Sequence, residues 1–147
     1  MNPEAQTDVA ALHAISDILI DQVRLYERAS LVAGRPELEL AISRARSARQ
    51  ELLGDVNGRI RELGDTPDIR GAALGASHKS LLKARGPVGK RSKAAIHDAE
   101  RGEDRLCDQL GKHADDGTLS EPTRTFFREM LIRARPVHEE IAFLKRR

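Results

Sequence analysis

The sequence predicts an all-α protein whose core lies between four long antiparallel helices. Apolar residues recur every three or four positions along four long segments, and no segment shows the strict alternation typical of a half-buried strand. Aromatic residues make up 3% of the chain and Trp is absent, so smaller aliphatic side chains must build the core. Such a composition suits helix packing better than a β-sandwich. A chain of 147 residues can form one domain of this kind without disulfides.

The first two helices are predicted over residues 8–33 and 36–63. Gly34 ends the first apolar pattern, and Pro36 suits the first turn of the second helix. Gly64 ends the second pattern in the same way. Because so few residues join the two helices, we expect them to lie side by side and antiparallel.

The next segment contains several glycines and is expected to be only partly helical. Thr66 and Pro67 are start signals for a short helix over about residues 69–83, and Gly86 and Gly89 then indicate a loop. This segment makes a long connection between the second and third main helices. Such a connection is typical of ferritin-like bundles, although an up-and-down bundle with a short helical insertion fits the sequence equally well.

The third and fourth main helices are predicted over residues 92–114 and 121–145. Both carry an apolar stripe at helical spacing, and Ser120 suits the capping position before the fourth helix. With the first two helices they complete an antiparallel four-helix bundle, a single domain over residues 1–147.

Two charged residues interrupt the apolar stripes of their helices. Arg49 lies on the stripe of the second helix, and Glu103 lies on that of the third. An unpaired buried charge costs several kcal/mol, so each side chain needs a partner or a route to solvent. One hypothesis is that Arg49 and Glu103 pair across the bundle and define its register. The alternative is that one or both reach solvent from the end of the bundle.

Glu103 belongs to an acidic stretch, "IHDAERGEDRLCDQL", at positions 96–110. The simplest interpretation of its neighbours Asp98, Asp104 and Asp108 is a solvated helix face. Cys107, the single cysteine of the chain, excludes an internal disulfide and a cysteine-based zinc site. Its place beside the apolar stripe indicates a small half-buried hydrophobe rather than a redox sensor.

Six basic residues and no acidic residue lie between positions 79 and 93. They are Lys79, Lys83, Arg85, Lys90, Arg91 and Lys93. Such a run can contact nucleic-acid phosphates or another anionic surface. No aromatic residue is present in it to stack on bases, so we expect at most non-specific nucleic-acid binding. A solvated connection is the simpler interpretation.

In the order of its segments the chain resembles a bacterial family of ferritin-like four-helix proteins, known mainly as a domain of unknown function. The segments are "ILIDQVRLYERA", "PELELAISRARSARQELLGDVNGRIRELGDTP", "GAALGASHKSLL", "AERGED" and "RARPVHEEIAFLK". The resemblance covers nearly the whole chain, and its most specific pieces are "ERGED", "RELGDTP" and His138 in the last helix. It implies a ferritin-like fold and stress-related expression, and it implies no established reaction.

A di-iron bundle needs a Glu from each of two helices and a Glu-x-x-His from each of the other two. His138 follows Arg135 at this spacing instead of a Glu, and Glu51 precedes Gly54 instead of a His. Neither motif is therefore present, and no metal or other cofactor is favoured. Iron or another divalent metal in a depleted site remains the alternative, with the candidate ligands Glu27, Glu51, Glu100, Glu103 and His138.

The sequence contains no motif typical of an enzyme, so no catalytic or cofactor-binding residue is named. The favoured function is a non-enzymatic interaction or stress-associated protein that self-associates and has a further protein partner still to be identified. The alternatives are a metal-binding oxidative-stress protein of the di-iron class and a non-specific nucleic-acid binder. No signal peptide and no run of about 20 apolar residues is present, so we expect a cytoplasmic protein with no membrane partner.

Overall fold

The computed structural model describes residues 1–68 and 79–146. Among these residues the chain forms helices and no strand, which confirms the all-α prediction. The helices are α1 (Pro3–Ser30), α2 (Pro36–Glu62), α3 (Lys79–Lys83), α4 (Val88–Ala114) and α5 (Glu121–Arg146). Within the same residues, no helix has the length and apolar character that crossing a bilayer requires.

Helix α1 begins at Pro3 and ends at Ser30, whereas the sequence predicts residues 8–33. The side-chain oxygen of Asn2 accepts a hydrogen bond from the backbone N–H of Ala5 at 2.7 Å, and proline at the first helical position needs no donor. After Ser30 the chain tightens, since the backbone N–H groups of Leu31 and Val32 donate to the carbonyls three positions before them. Gly34, at φ +72°, then turns the chain towards α2. The predicted start and end of this helix are therefore wrong by a few residues.

The connection between α2 and α4 also differs from the prediction. A short helix is predicted over residues 69–83, and residues 69–78 lie outside the described residues. The described part of this prediction is α3. Residues 65–68, which include the predicted start signals Thr66 and Pro67, are not helical. Helix α4 begins at Val88 instead of residue 92, because the carbonyl of Pro87 accepts the backbone N–H groups of the first turn. Gly89, predicted to lie in the loop, belongs to this helix.

Two apolar clusters form the core, and each takes side chains from α1, α2, α4 and α5. The first has Leu12, Leu52, Leu110 and Phe127 among its members, and the second has Leu25, Leu38, Ile96 and Ile141. Along α1, α2 and α4 a buried polar side chain lies between the two apolar stretches. Gln22, Arg49 and Glu103 occupy these positions. A polar layer therefore divides the core.

Candidate functional site

Arg49 and Glu103 lie in direct contact in the polar layer, and both side chains are 0% exposed. The Nε atom of Arg49 donates to Oε2 of Glu103 at 3.0 Å, and its Nη2 atom donates to Oε1. This contact is bidentate, with the planar guanidinium donating to both oxygens of the planar carboxylate. The same Nη2 atom donates to the backbone carbonyl of Ala134 at 2.9 Å. The guanidinium therefore connects α2 to α4 and α5.

Helix α1 supplies two further donors to the same carboxylate. Gln22 donates from Nε2 to Oε2 of Glu103 at 2.9 Å, and the Tyr26 hydroxyl donates to that oxygen at 2.6 Å. Gln22, Tyr26, Arg49 and Glu103 together are called the buried polar cluster below. All four long helices thus meet at the Glu103 carboxylate or its guanidinium partner. Gln22 and Tyr26 continue the three-to-four-residue spacing of Leu12, Ile15 and Leu19 along α1. Their polar atoms on this buried face are the sequence signal that could have placed them here.

In the buried polar cluster the positive charge of Arg49 lies against the negative charge of Glu103. Burial works against the charge of Arg49, but the hydrogen bond and the negative charge of Glu103 outweigh burial and raise the pKa of the guanidinium. Burial, followed by the adjacent charge of Glu103, raises the pKa of Tyr26 well above its ordinary value. The phenol therefore keeps its proton and remains a hydrogen-bond donor at neutral pH. The cluster has the chemistry of a structural ion pair, since it presents no deprotonated nucleophile or base to solvent.

The structure does not bring the five candidate metal ligands together. Glu27 is exposed and accepts from Arg46 at 3.1 Å, whereas Glu100 accepts from Lys145 at 2.6 Å. His138 contacts the exposed Asp104 carboxylate at 2.5 Å, and the Glu51 side chain is exposed. Of the five, only Glu103 lies in the core. Within residues 1–68 and 79–146, no three or more His, Cys, Asp or Glu side chains are grouped as metal ligands.

The six basic residues lie on the surface around α3 and the first turns of α4. All of them are exposed except Arg91, which is half-buried. Arg85 donates from Nη1 to the carbonyls of Leu82 and Ala84, so it also stabilises the chain reversal after α3. The exposed apolar side chains of Leu82 and Val88 lie within the same segment. This surface is therefore amphipathic rather than uniformly basic.

Asp98 is buried, and the prediction that it belongs to a solvated face is wrong. Its Oδ1 accepts the backbone N–H of Ser80 at 3.1 Å, and its Oδ2 accepts that of Leu81 at 2.6 Å. These are first-turn N–H groups of α3, which a short helix cannot satisfy itself. The sequence carried no signal for this role, because Asp98 and α3 come together only in the tertiary structure. Asp104 and Asp108 are exposed.

We expect Asp98→Ala to detach α3 while leaving the core folded. The first-turn N–H groups lose their acceptors, which costs about 0.5–2 kcal/mol, as the loss of a helix cap does. Hydrogen exchange should become faster at Ser80 and Leu81, with little change at buried amides of α1. Asp108→Ala, on the exposed face of the same helix, is the control and should leave exchange at α3 unchanged. Unaltered exchange in the Asp98 variant would contradict this role.

Cys107 is half-buried beside the buried polar cluster. Burial, and then the charge of Glu103, raise the pKa of its thiol to about 11. The thiolate is the reactive form of cysteine, so this side chain is a poor nucleophile at neutral pH.

The comparisons with known proteins identify no relative. No protein-family model matches this chain, and a search of the curated proteins found none that is similar to it. The class that fold and site define is an all-α protein with a buried ion pair at its centre.

Proposed function

We propose that the protein is a non-enzymatic, ferritin-like four-helix bundle that acts by binding other molecules through its surface. In this proposal the buried polar cluster holds the helices in register and takes no part in chemistry. The observation that carries the proposal is the engagement of Glu103, whose two carboxylate oxygens accept four hydrogen bonds from Arg49, Gln22 and Tyr26. Because this carboxylate is also 0% exposed, it is not presented to a metal or a substrate from solvent.

Contacts between α1 and α2 support an antiparallel pair. His13, in the first half of α1, contacts Asp65 just after α2 at 2.9 Å. Glu27, near the end of α1, accepts from Arg46 in the first half of α2. The start of one helix is thus close to the end of the other.

Contacts of α4 and α5 support a ferritin-like order of the four long helices. Ser92, early in α4, donates to the carbonyls of Val32 and Ala33, so α4 begins where α1 ends. Helix α5 contacts α2 through Arg44 with Glu140 and through Asp55 with Arg133. In this arrangement α2 and α4 run in the same direction. Parallel neighbours in sequence require a connection that travels the length of the bundle, as in ferritin-like folds.

The residues present do not fit a di-iron centre. Such a centre gathers carboxylates and histidines in the middle of the bundle, and here the Arg49 guanidinium lies beside Glu103, the carboxylate of the buried polar cluster. A cation that coordinated Glu103 would have to displace a bidentate partner and then lie beside its uncompensated positive charge. The buried guanidinium therefore disfavours an oxidative-stress metalloprotein. The proposal also includes self-association and the stress-related expression that the family resemblance implies.

The proposal is tested by metal analysis of protein purified without chelators. We expect far less than one iron, manganese or zinc ion per chain, and no rise in melting temperature when these metals are added. Glu103→Gln and Glu51→Gln should both leave the metal content unchanged. A content of about one or two ions per chain that falls in Glu103→Gln, whether or not it also falls in Glu51→Gln, would overturn the proposal.

A further inference from the structure

We propose that a groove at the end of the molecule where α4 begins binds an amphipathic anion, a single alkyl chain that ends in a carboxylate or phosphate. This inference rests on the proposed binding role and names the chemical class of its ligand. The groove lies between the α1–α2 turn, the first turns of α4 and the last turn of α5, and has a volume of about 760 Å³. That volume is within the range of small-molecule sites, which is roughly 300–1,000 Å³.

The floor of the groove is apolar. Its lining includes the side chains of Ala33, Val88, Ile96 and Leu144. Val88 is 46% exposed, so an alkyl chain in the groove would remove apolar surface from water. Gly34 makes room for the Val88 side chain, since a Cβ atom at position 34 would lie 2.9 Å from Cγ1 of Val88.

The floor also offers few unsatisfied polar groups. Ser92 lines the groove, and its hydroxyl donates to the carbonyls of Val32 and Ala33 in the turn after α1. An alkyl chain can therefore cover this part of the floor without breaking those hydrogen bonds, which would be costly.

The rim of the groove is basic. Arg35, Lys93 and Lys145 line it, and Glu100 neutralises only Lys145 at close range, at 2.6 Å. Arg35 and Glu37 are 3.7 Å apart and both are 56% exposed, so this pair leaves the guanidinium open to an anion. Lys93 has no carboxylate within ion-pair distance among the residues that the structure describes. Arg35 and Lys93 are therefore the groups that would hold the head group.

Nothing in the first turn of α4 offsets this positive charge. The turn contains no acidic residue and has no side-chain cap, and Lys90 and Arg91 lie at the positive end of the helix dipole, where basic residues are unfavourable. A bound anion would relieve this repulsion. The combination of an apolar floor with a basic rim favours an amphiphile over duplex nucleic acid, which presents phosphates but no alkyl chain to fill the floor.

Isothermal titration calorimetry with sodium decanoate, kept below its critical micelle concentration, tests the inference. We expect saturable 1:1 binding that weakens with added salt. The uncharged analogue decanol should bind about a hundredfold more weakly, because it loses the charge contacts to both Arg35 and Lys93, each of which is worth about tenfold. Val88→Trp should abolish binding by filling the groove, with no change in charge. Circular dichroism checks that each variant is folded.

Charge reversal at the rim of the groove is compared with charge reversal at a distant lysine of the same helix. Arg35→Glu combined with Lys93→Glu should weaken decanoate binding by at least about a hundredfold, since two contacts of about tenfold each are lost and replaced by repulsion. Lys112→Glu makes the same kind of change at the opposite end of α4 and should leave affinity within about twofold, because screening removes such distant effects.

Three results would overturn the groove inference. They are the absence of saturable decanoate binding by the wild type, equal binding by the rim variant, and binding only to anionic phospholipid vesicles or duplex DNA. Metal analysis is independent of these titrations. If decanoate does not bind and no metal is present, the groove inference is wrong and the proposed non-enzymatic bundle stands. Stoichiometric metal would overturn the bundle proposal itself.

Discussion

Arg49→Met is expected to lower the free energy of unfolding by about 3–5 kcal/mol, because it leaves the carboxylate of Glu103 buried without its cation. Glu103→Leu should be similarly destabilising, since it leaves the guanidinium uncompensated. Both changes are measured by denaturant unfolding, with the slope of the transition checked for constancy. Arg44→Met is the control on the same helix. Arg44 pairs with Glu140 at the surface, and such pairs contribute no more than about 1 kcal/mol.

Recovery of stability by apolar replacement should require that all four residues of the buried polar cluster are replaced. In Arg49→Met with Glu103→Leu, the hydroxyl of Tyr26 and the amide of Gln22 lose their acceptor, and each buried orphan costs about 1–3 kcal/mol. Adding Tyr26→Phe and Gln22→Leu should therefore restore stability beyond that of the double variant. The coupling energy follows from a double-mutant cycle. Small, additive effects of the Arg49 and Glu103 changes would contradict a coupled buried pair.

Asp8→Ala is expected to cost about 2–3 kcal/mol, in keeping with the loss of hydrogen bonds to a buried charged group. Asp8 is 2% exposed, and its carboxylate accepts the backbone N–H of Ser120 at 2.9 Å and the Ser120 hydroxyl at 2.5 Å. It also accepts the hydroxyl of Thr123 at 2.9 Å. Asp8 therefore attaches α1 to the beginning of α5, and its removal leaves buried donors without an acceptor.

Denaturant unfolding measures this effect, and Glu4→Ala is its control. Glu4 is an exposed acidic residue in the first turn of the same helix. Its replacement should cost less than about 1 kcal/mol, which is the range of a charge at a helix end. If Asp8→Ala were as mild as Glu4→Ala, the link between α1 and α5 would contribute little to stability.

The positions of the helices could be predicted largely from the sequence. The three-to-four-residue spacing of apolar side chains is a local property, and it located α2, most of α1, most of α4 and α5. The ends of the helices were less predictable, because each end depends on the contacts of one or two capping residues. Asn2 with Pro3 extends α1, and Pro87 extends α4, where periodicity alone indicated later starts.

The burial of charge at Arg49 and Glu103 was one of the two outcomes that the sequence allowed, since each lies on the apolar stripe of its own helix. Periodicity shows that such a side chain faces inward, but it does not show which residue of another helix lies opposite. Gln22 and Tyr26 complete the cluster because packing brings α1 to the same level of the core.

Only the tertiary structure decided the roles of Asp8 and Asp98. Asp8 and Ser120 are 112 positions apart in the chain, and Asp98 accepts from a helix that precedes it by 17 positions or more. The same is true of the groove, whose lining comes from the α1–α2 turn, α4 and α5. Helical periodicity depends on neighbours a few residues away, so the sequence determined which face of each helix is buried. Partners distant in sequence depend on how the faces dock, because hydrogen bonds and grooves form only where two packed surfaces meet.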